Sequence, residues 1–450
     1  MDTRSGCGLA YDPMLVGAGI GCYQRQTTWE PKAMIANLNA SEIKRLSLIA
    51  SIVCVGILTI SYVTNAMDRI IFPMLLKWIS ADYGFDLKSG GFLATVFTLG
   101  AGLAAWPTGW LLDRWSRKAI LILGIVIYSG FTYLTTIGFG FTDIGVYRFI
   151  TGVGEGMQVS ALFAIVCSYF YMHKALMVGT INLGFGVGNF LGPYLSIRLM
   201  MYNNNWHTPF IIFALLGLCL AAIIWFTVPR TFTESKGPSN EDAAVKVDLS
   251  NVPQNFFNRN VLVCGLTAAV WGFCVFSHVG LYATFLLTKL NMPPVVASVA
   301  VSMMGIGGLF GMVGGWIGDR YSNRWFAIAG WACLALVWYL QYNIVLDPNV
   351  HNVLNFVVGF AVTSVVHPNS VSLLQRSARP EFIGRTTGFF HTCAYLAAGL
   401  SGFVFGWSAQ RFGWNIAAFA LLTILPIIAG ATLLFVNQAQ LLRTTSRSSA

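Results

Sequence analysis

The chain has 450 residues, with 27 Lys+Arg against 17 Asp+Glu and a formal net charge of +10. Only 10% of it is charged, 56% is apolar, and its mean hydropathy is +0.66. A soluble domain wets its surface with about a quarter charged residues, so a soluble globular domain, a coiled coil and a disordered chain are excluded, and lipid is the main solvent. The basic excess lies in short clusters between apolar runs, as topology signals do, and does not form a nucleic-acid-binding face.

Residues 1–45 form a mixed polar, Gly-containing tail without the apolar core of a cleavable signal peptide. A mobile cytoplasmic tail is expected there, with Met34 as an alternative start. A membrane-spanning helix needs about 20 mostly apolar residues. On that criterion spans fall near 46–79, 89–112, 119–138, 143–171, 174–200 and 207–229. The polar stretch 230–259 then interrupts the pattern. Six further spans follow near 260–288, 294–317, 325–345, 351–375, 382–409 and 414–436, before a tail at 437–450. Lys and Arg set the orientation: with the N-terminus inside, inner segments hold 20 of them and outer segments five. Both termini and the central loop are therefore expected in the cytoplasm of a bacterial inner (plasma) membrane protein. The expected class is all-α, with twelve spans divided as 46–229 and 260–436.

An internal repeat supports the division. Gly109-Trp-Leu-Leu-Asp113-Arg114-Trp-Ser116-Arg117-Lys118 recurs 206 residues later as Gly315-Trp-Ile-Gly-Asp319-Arg320-Tyr-Ser322-Asn-Arg324. Parallel halves of this kind belong to transporters that rock about a central site. The conformational latch is assigned to Gly109, Asp113, Arg114, Arg117, Lys118, Asp319 and Arg320. An Asp in such a loop can face a helix N-terminus and neighbouring Arg.

The two remaining basic residues, Arg69 and Arg148, fall inside spans. A charge at mid-bilayer costs at least about 2.5–3.5 kcal/mol, so it marks a pathway or a pair. Arg69 follows Asp68 in span one, and Arg148 precedes Glu155 by seven residues, two helical turns along one face of span four. Arg69 and Arg148 are expected in the outer half of one central cavity, with Glu155 about 10 Å deeper. The alternatives are an Asp68–Arg69 flank at the outer surface and a fixed Arg148–Glu155 pair. On the functional reading the Arg residues attract an anion while a carboxylate titrates.

The loop motif resembles the G-x-x-x-D-R/K-x-G-R/K-R/K signature of the major facilitator superfamily, with Ser116 and Ser322 where Gly is usual. The Asp-Arg pair with Arg-x-x-x-Gly-x-x-Glu resembles that superfamily's anion:cation symporter branch. The resemblance implies the major facilitator fold and uptake of a carboxylate or sugar acid with protons. It implies substrate contact for Arg69 and Arg148 and proton coupling for Asp68 and Glu155. Tyr62 and Asn65 of span one join the expected pocket, as do the i, i+4 pair His278 and Tyr282 and, from span eleven, His391 beside Tyr395. His367-Pro368-Asn369 suggests a locally opened helix. In span five, Gly179, Gly188, Gly192 and Pro193 match part of the signature of proton-coupled drug exporters, which keeps an exporter as the alternative. Packing is the other role for such small residues. No metal-ligand spacing, Cys-x-x-Cys or phosphate-binding loop occurs, so no enzyme, cofactor or ATP-driven pump is expected. The expected partners are a small organic anion, protons and the lipid bilayer, around a monomer.

Overall fold

A computed structural model describes residues 46–170, 174–235, 247–248, 252–310, 322–379 and 382–444. Six helices precede the central loop: α1 (Leu48–Tyr83), α2 (Leu87–Thr95, resuming after Val96 as Phe97–Arg114), α3 (Arg117–Thr135), α4 (Phe141–Tyr169), α5 (Lys174–Asn203) and α6 (His207–Thr227). Six follow it: α7 (Arg259–Thr288), α8 (Pro294–Gly308), α9 (Asn323–Asn343), α10 (Pro348–Arg376), α11 (Ile383–Phe412) and α12 (Trp414–Phe435). The expected all-α class holds. Among the described residues the one departure is a two-residue ladder pairing Val247 with Thr444 and Asp248 with Arg443. Span eight, expected to reach residue 317, is helical to Gly308, and 311–321 lie outside the described residues.

Local sequence explains where the helices begin and end. The Ser47 hydroxyl caps α1, accepting the Ala50 N–H at 3.3 Å. Gly84, left-handed at φ 68, stops α1 and returns its N–H to the Ser80 carbonyl. Asp86 then caps α2 by accepting the Ser89 N–H at 2.9 Å. Partial burial opposes ionisation of Asp86, but bonds from Ser89 and the charge of Lys88 together hold its carboxyl below the usual range. In α10 the His367 N–H reaches back five residues to Val362, giving one wide turn over Ala361–Val366 just before Pro368. This is the opened helix that His367-Pro368-Asn369 suggested.

The two halves meet chiefly where α2 packs against α11 and α5 against α8, with α7 also touching α1 and α2. On the first, a Cβ at Gly91 or Gly402 would overlap the other glycine's carbonyl, and a Cβ at Gly406 would reach the Leu87 backbone. The Thr95 hydroxyl donates to the Gly399 carbonyl at 3.2 Å. This run ends where Gly102 meets Tyr395. Farther toward the α2–α3 loop the helices part, since Cβ atoms at Gly109 and Gly388 would each face open space. The α2–α11 seam is thus in close backbone contact toward the α1–α2 end of the bundle, and these glycine contacts do not continue toward the α2–α3 loop. At the α1–α2 end Lys77 of α1 also reaches across the halves, 3.4 Å from the Leu287 carbonyl near the α7 C-terminus.

Candidate functional site

Four ionisable side chains meet inside the N-terminal half. Arg69 of α1 lies 2.9 Å (Nε to Oε2) from Glu155 of α4. The contact is one of charge, because the Nε–H does not point at the carboxylate in hydrogen-bonding geometry. Arg69 is 13% exposed and Glu155 is wholly buried. Asp68, also buried, accepts the Thr132 hydroxyl of α3 at 2.7 Å. Arg148 of α4 is fully buried, and among the described residues none of its three guanidinium nitrogens has a hydrogen-bond partner. Its guanidinium lies over two rings instead, 5.1 Å from Phe72 and 5.0 Å from Phe97. Both carboxylates act electrostatically on Arg148.

Small residues make this approach possible. A Cβ on Gly152 would overlap the Phe97 carbonyl, and one on Gly100 would overlap the Phe149 carbonyl. Glycine at both positions lets α2 and α4 touch backbone to backbone, which carries the Phe97 ring onto Arg148. The α5 glycines act likewise against α1: Cβ atoms at Gly184, Gly188 and Gly192 would strike Thr59, Val63 and Ile70.

The Arg148–Glu155 pair offered by their shared helical face does not form. Among the described residues Glu155 pairs with Arg69 of the neighbouring helix, because α1 presents its guanidinium at closer range than α4's own turn can. Asn65 donates to Gln158 at 2.8 Å, and Gln158 donates to the Ser61 carbonyl at 2.9 Å, so a polar zipper joins α1 to α4 beside the charges. Gln158 was legible only as a residue one turn beyond Glu155. Tyr62 stacks on Phe185 at 5.4 Å and meets Phe163 edge-on at 6.0 Å. The Arg69 guanidinium lies 5.8 Å from the same Phe185 ring, with Tyr395 of α11, in the other half, close by.

His278 and Tyr282 share a face, stacked at 4.3 Å, but that face meets α9 and α10 and not Arg69. Asn355 donates to the Ala300 carbonyl at 2.8 Å, so its Oδ1 accepts from His278 Nε2 at 2.9 Å. The Tyr282 hydroxyl accepts from Gln341 at 3.0 Å and so donates to His351 Nδ1 at 2.9 Å. This cluster binds the C-terminal half internally. His391 instead stacks on Tyr395 at 5.8 Å, next to the Arg69 contact.

The loop motif is anchored within its own half. Ser116, where the family pattern has Gly, donates to Glu234 at 2.7 Å, and the Arg117 and Lys118 amides donate to the same carboxylate at 3.1 Å each. The Lys118 ammonium donates to the Val228 carbonyl at the end of α6. Partial burial opposes ionisation of Glu234, yet the Ser116, Lys118 and Arg117 bonds hold it below the usual carboxylate range. Arg114 stacks on Trp110 at 3.9 Å, beside the open Gly109. Asp113 lies in the last turn of α2. Asp319 and Arg320 fall outside the described residues.

The sequence profile described as Major Facilitator Superfamily matches residues 58–402 and 307–449. The chain is 23% identical over 265 residues to a hexuronate transporter of Bacillus subtilis (strain 168), covering 57% of this chain and 62% of that protein. It is 25% identical over 168 residues to a 4-hydroxybenzoate transporter of Pseudomonas putida, 37% of each chain. These alignments span less than two thirds of either relative. Among solved structures, a bacterial homolog of the human lysosomal transporter Spinster, inward-facing and unoccupied, superposes with a TM-score of 0.69 at 15% identity. That match covers 88% of this chain and 97% of the other, and it shows the same fold.

Proposed function

The chain belongs to the major facilitator superfamily, and from that premise we propose that it is a secondary transporter taking up a small organic anion together with a proton. The observation that carries this reading is Arg148, a fully buried guanidinium with no hydrogen bond among the described residues, beside Arg69, which contacts Glu155 without a hydrogen bond. A buried guanidinium whose hydrogen-bonding capacity is unmet is costly in a merely structural role. A carboxylate entering the cleft meets Arg69 first, since Arg69 is the exposed member of the two. It takes the place of Glu155 there.

Charge counting gives the coupling. Two guanidiniums and two carboxylates sum to zero when all are ionised. Adding a substrate carboxylate leaves one excess negative charge in a low-dielectric site, and a proton taken up by Glu155 or Asp68 cancels it. Substrate and proton therefore load together, and the empty carrier recloses its Arg69–Glu155 pair before returning. We take both termini as cytoplasmic in a bacterial inner membrane from the Lys/Arg asymmetry, so the end of the α2–α11 seam toward the α2–α3 loop faces inward. The Asp113 loop and its repeat at Asp319 gate that end. Hexuronate and 4-hydroxybenzoate, the cargoes named for the two relatives, share a carboxylate, which supports the anion assignment.

The test uses purified, folded protein in proteoliposomes. Arg69→Ala and Arg148→Ala should each weaken carboxylate binding at least tenfold. Glu155→Gln should keep substrate exchange but fail to concentrate substrate against a pH gradient. Unchanged affinity in both Arg variants would end the proposal, and full proton-driven accumulation by Glu155→Gln would pass the coupling role to Asp68.

A further inference from the structure

The last helix of each half is fastened in the same way. Arg324, which repeats Lys118, donates to the Val436 carbonyl just beyond α12 at 3.2 Å, as Lys118 does to Val228 just beyond α6. A cation suits the negative end of a helix. The chain then makes one short turn in each half, over Arg230–Thr233 and over Gln438–Gln440. Around and beyond the second turn it is bound to the C-terminal half at several points. The Asn437 N–H donates to the Asn260 Oδ1 of α7 at 2.7 Å, and its carbonyl accepts from the Asn260 Nδ2 at 2.9 Å. Leu441 is buried in the core of that half. The Leu442 N–H donates at 2.8 Å to the carbonyl of Arg376, the last residue of α10, and the Leu442 carbonyl accepts from the Arg376 Nε at 3.2 Å.

Arg376 carries this attachment into the half. Its Nη1 donates to the Asn323 Oδ1 at the start of α9 at 2.9 Å. The Asn323 Nδ2 donates to the Asn369 Oδ1 at 3.0 Å, and the Asn369 Nδ2 donates to the Val365 carbonyl at 2.7 Å. Both Asn residues are buried. Val365 belongs to the wide turn of α10, and the His367 ring that follows it meets Trp271 at 4.9 Å and His391 at 6.3 Å. A continuous file of hydrogen bonds therefore joins the tail to that turn. Buried polar groups that satisfy one another in series hold or fail together. A wide turn followed by proline is also where a helix bends most readily. We propose that residues 437–444 are a strap that holds the His367–Arg376 segment of α10 in place, and that detaching the strap lets this segment swing about the Ala361–Val366 turn. The His367 ring moves with it, so the tail sets the wall beside His391 from a distance. The strap acts in this way whatever solute the carrier moves.

The test times the reaction of a water-soluble maleimide with Ser370→Cys, in the detergent-purified chain stripped of its native cysteines. Ser370 is buried, so labelling of the strapped protein should be slow. A stop after Gln440 keeps α12 and the Asn437–Asn260 pair but removes Leu442, and it should raise the rate at least tenfold. Asn369→Leu in the full-length chain should raise it likewise. Combining the two should add little to either alone, because both cut the same file. Arg376→Met, also in the full-length chain, removes the two side-chain links and should speed labelling even if the shortened chain does not fold. Slow labelling in folded Arg376→Met and Asn369→Leu proteins would overturn the strap, as would rates that multiply when the stop and Asn369→Leu are combined.

Discussion

At Gly152 a single methyl group has nowhere to go, because the Phe97 backbone of α2 occupies its place. Gly152→Ala should push α2 and α4 apart and lift the Phe97 ring from Arg148. Overpacking of this kind costs about 1–3 kcal/mol. Gly130 in α3 is the control, since a Cβ there meets nothing within 4 Å. Gly130→Ala should raise stability by about 0.5–1 kcal/mol, the helix-interior cost of glycine. Thermal unfolding in detergent should move in opposite directions for the two variants, and a Gly152→Ala protein as stable as the parent would refute this account of the contact. The residue scale also shows where sequence reading stops. Seven-residue spacing puts Arg148 and Glu155 on one face of α4, but nothing along one helix tells which neighbour supplies the closer charge. The partner turned out to be Arg69, and the Phe72 and Phe97 rings that box Arg148 come from two other helices. Pairing across helices depends on their relative rotation, which hydropathy does not encode.

Helices, by contrast, were legible almost to their ends, because length and apolar character alone fix a membrane span. The wide turn before Pro368 was legible too, since proline supplies no N–H to the turn behind it. The short junction after α6 was not: Glu234 sits in a charged stretch with no periodicity, yet it caps the first turn of α3 from across the loop. Its depressed ionisation sets the sign of a pH effect. A carboxylate held below its unfolded range contributes its anchoring at and above that range, and loses it as pH falls through the lower, folded value. Hydrogen exchange at the Arg117 and Lys118 amides, normalised to unstructured rates, should therefore be slow at neutral pH and speed up only on strong acidification. Glu234→Gln should exchange faster at neutral pH and lose that acid step. Equal protection in both proteins at neutral pH would show that Ser116 caps α3 unaided.

Across the whole molecule, the proposed transport cycle makes the α2–α11 seam the contact that decides which end is shut. Its closed part rests on glycines in carbonyl contact, Gly91 with Gly402, and on the Thr95 bonds to α11. Backbones can approach this closely only without side chains between them. Lys77 adds an ammonium to an α7 carbonyl near that helix's C-terminus, where the partial charge is negative. In the proposed cycle these contacts must all break for that end to open, so each would bias a two-state balance without touching the charges at the centre. Gly402→Leu puts a bulky group where the Gly91 carbonyl lies and should drive the population toward the opposite opening. In a background stripped of native cysteines, Thr95→Cys should react slowly with a membrane-impermeant maleimide, and combining it with Gly402→Leu should raise the rate at least tenfold. Transport should fall in the same protein while substrate still binds, because the Arg69–Glu155 site stays whole but the cleft on the other side no longer forms. Unaltered labelling would mean that the seam yields locally, and that its glycines serve packing without governing access.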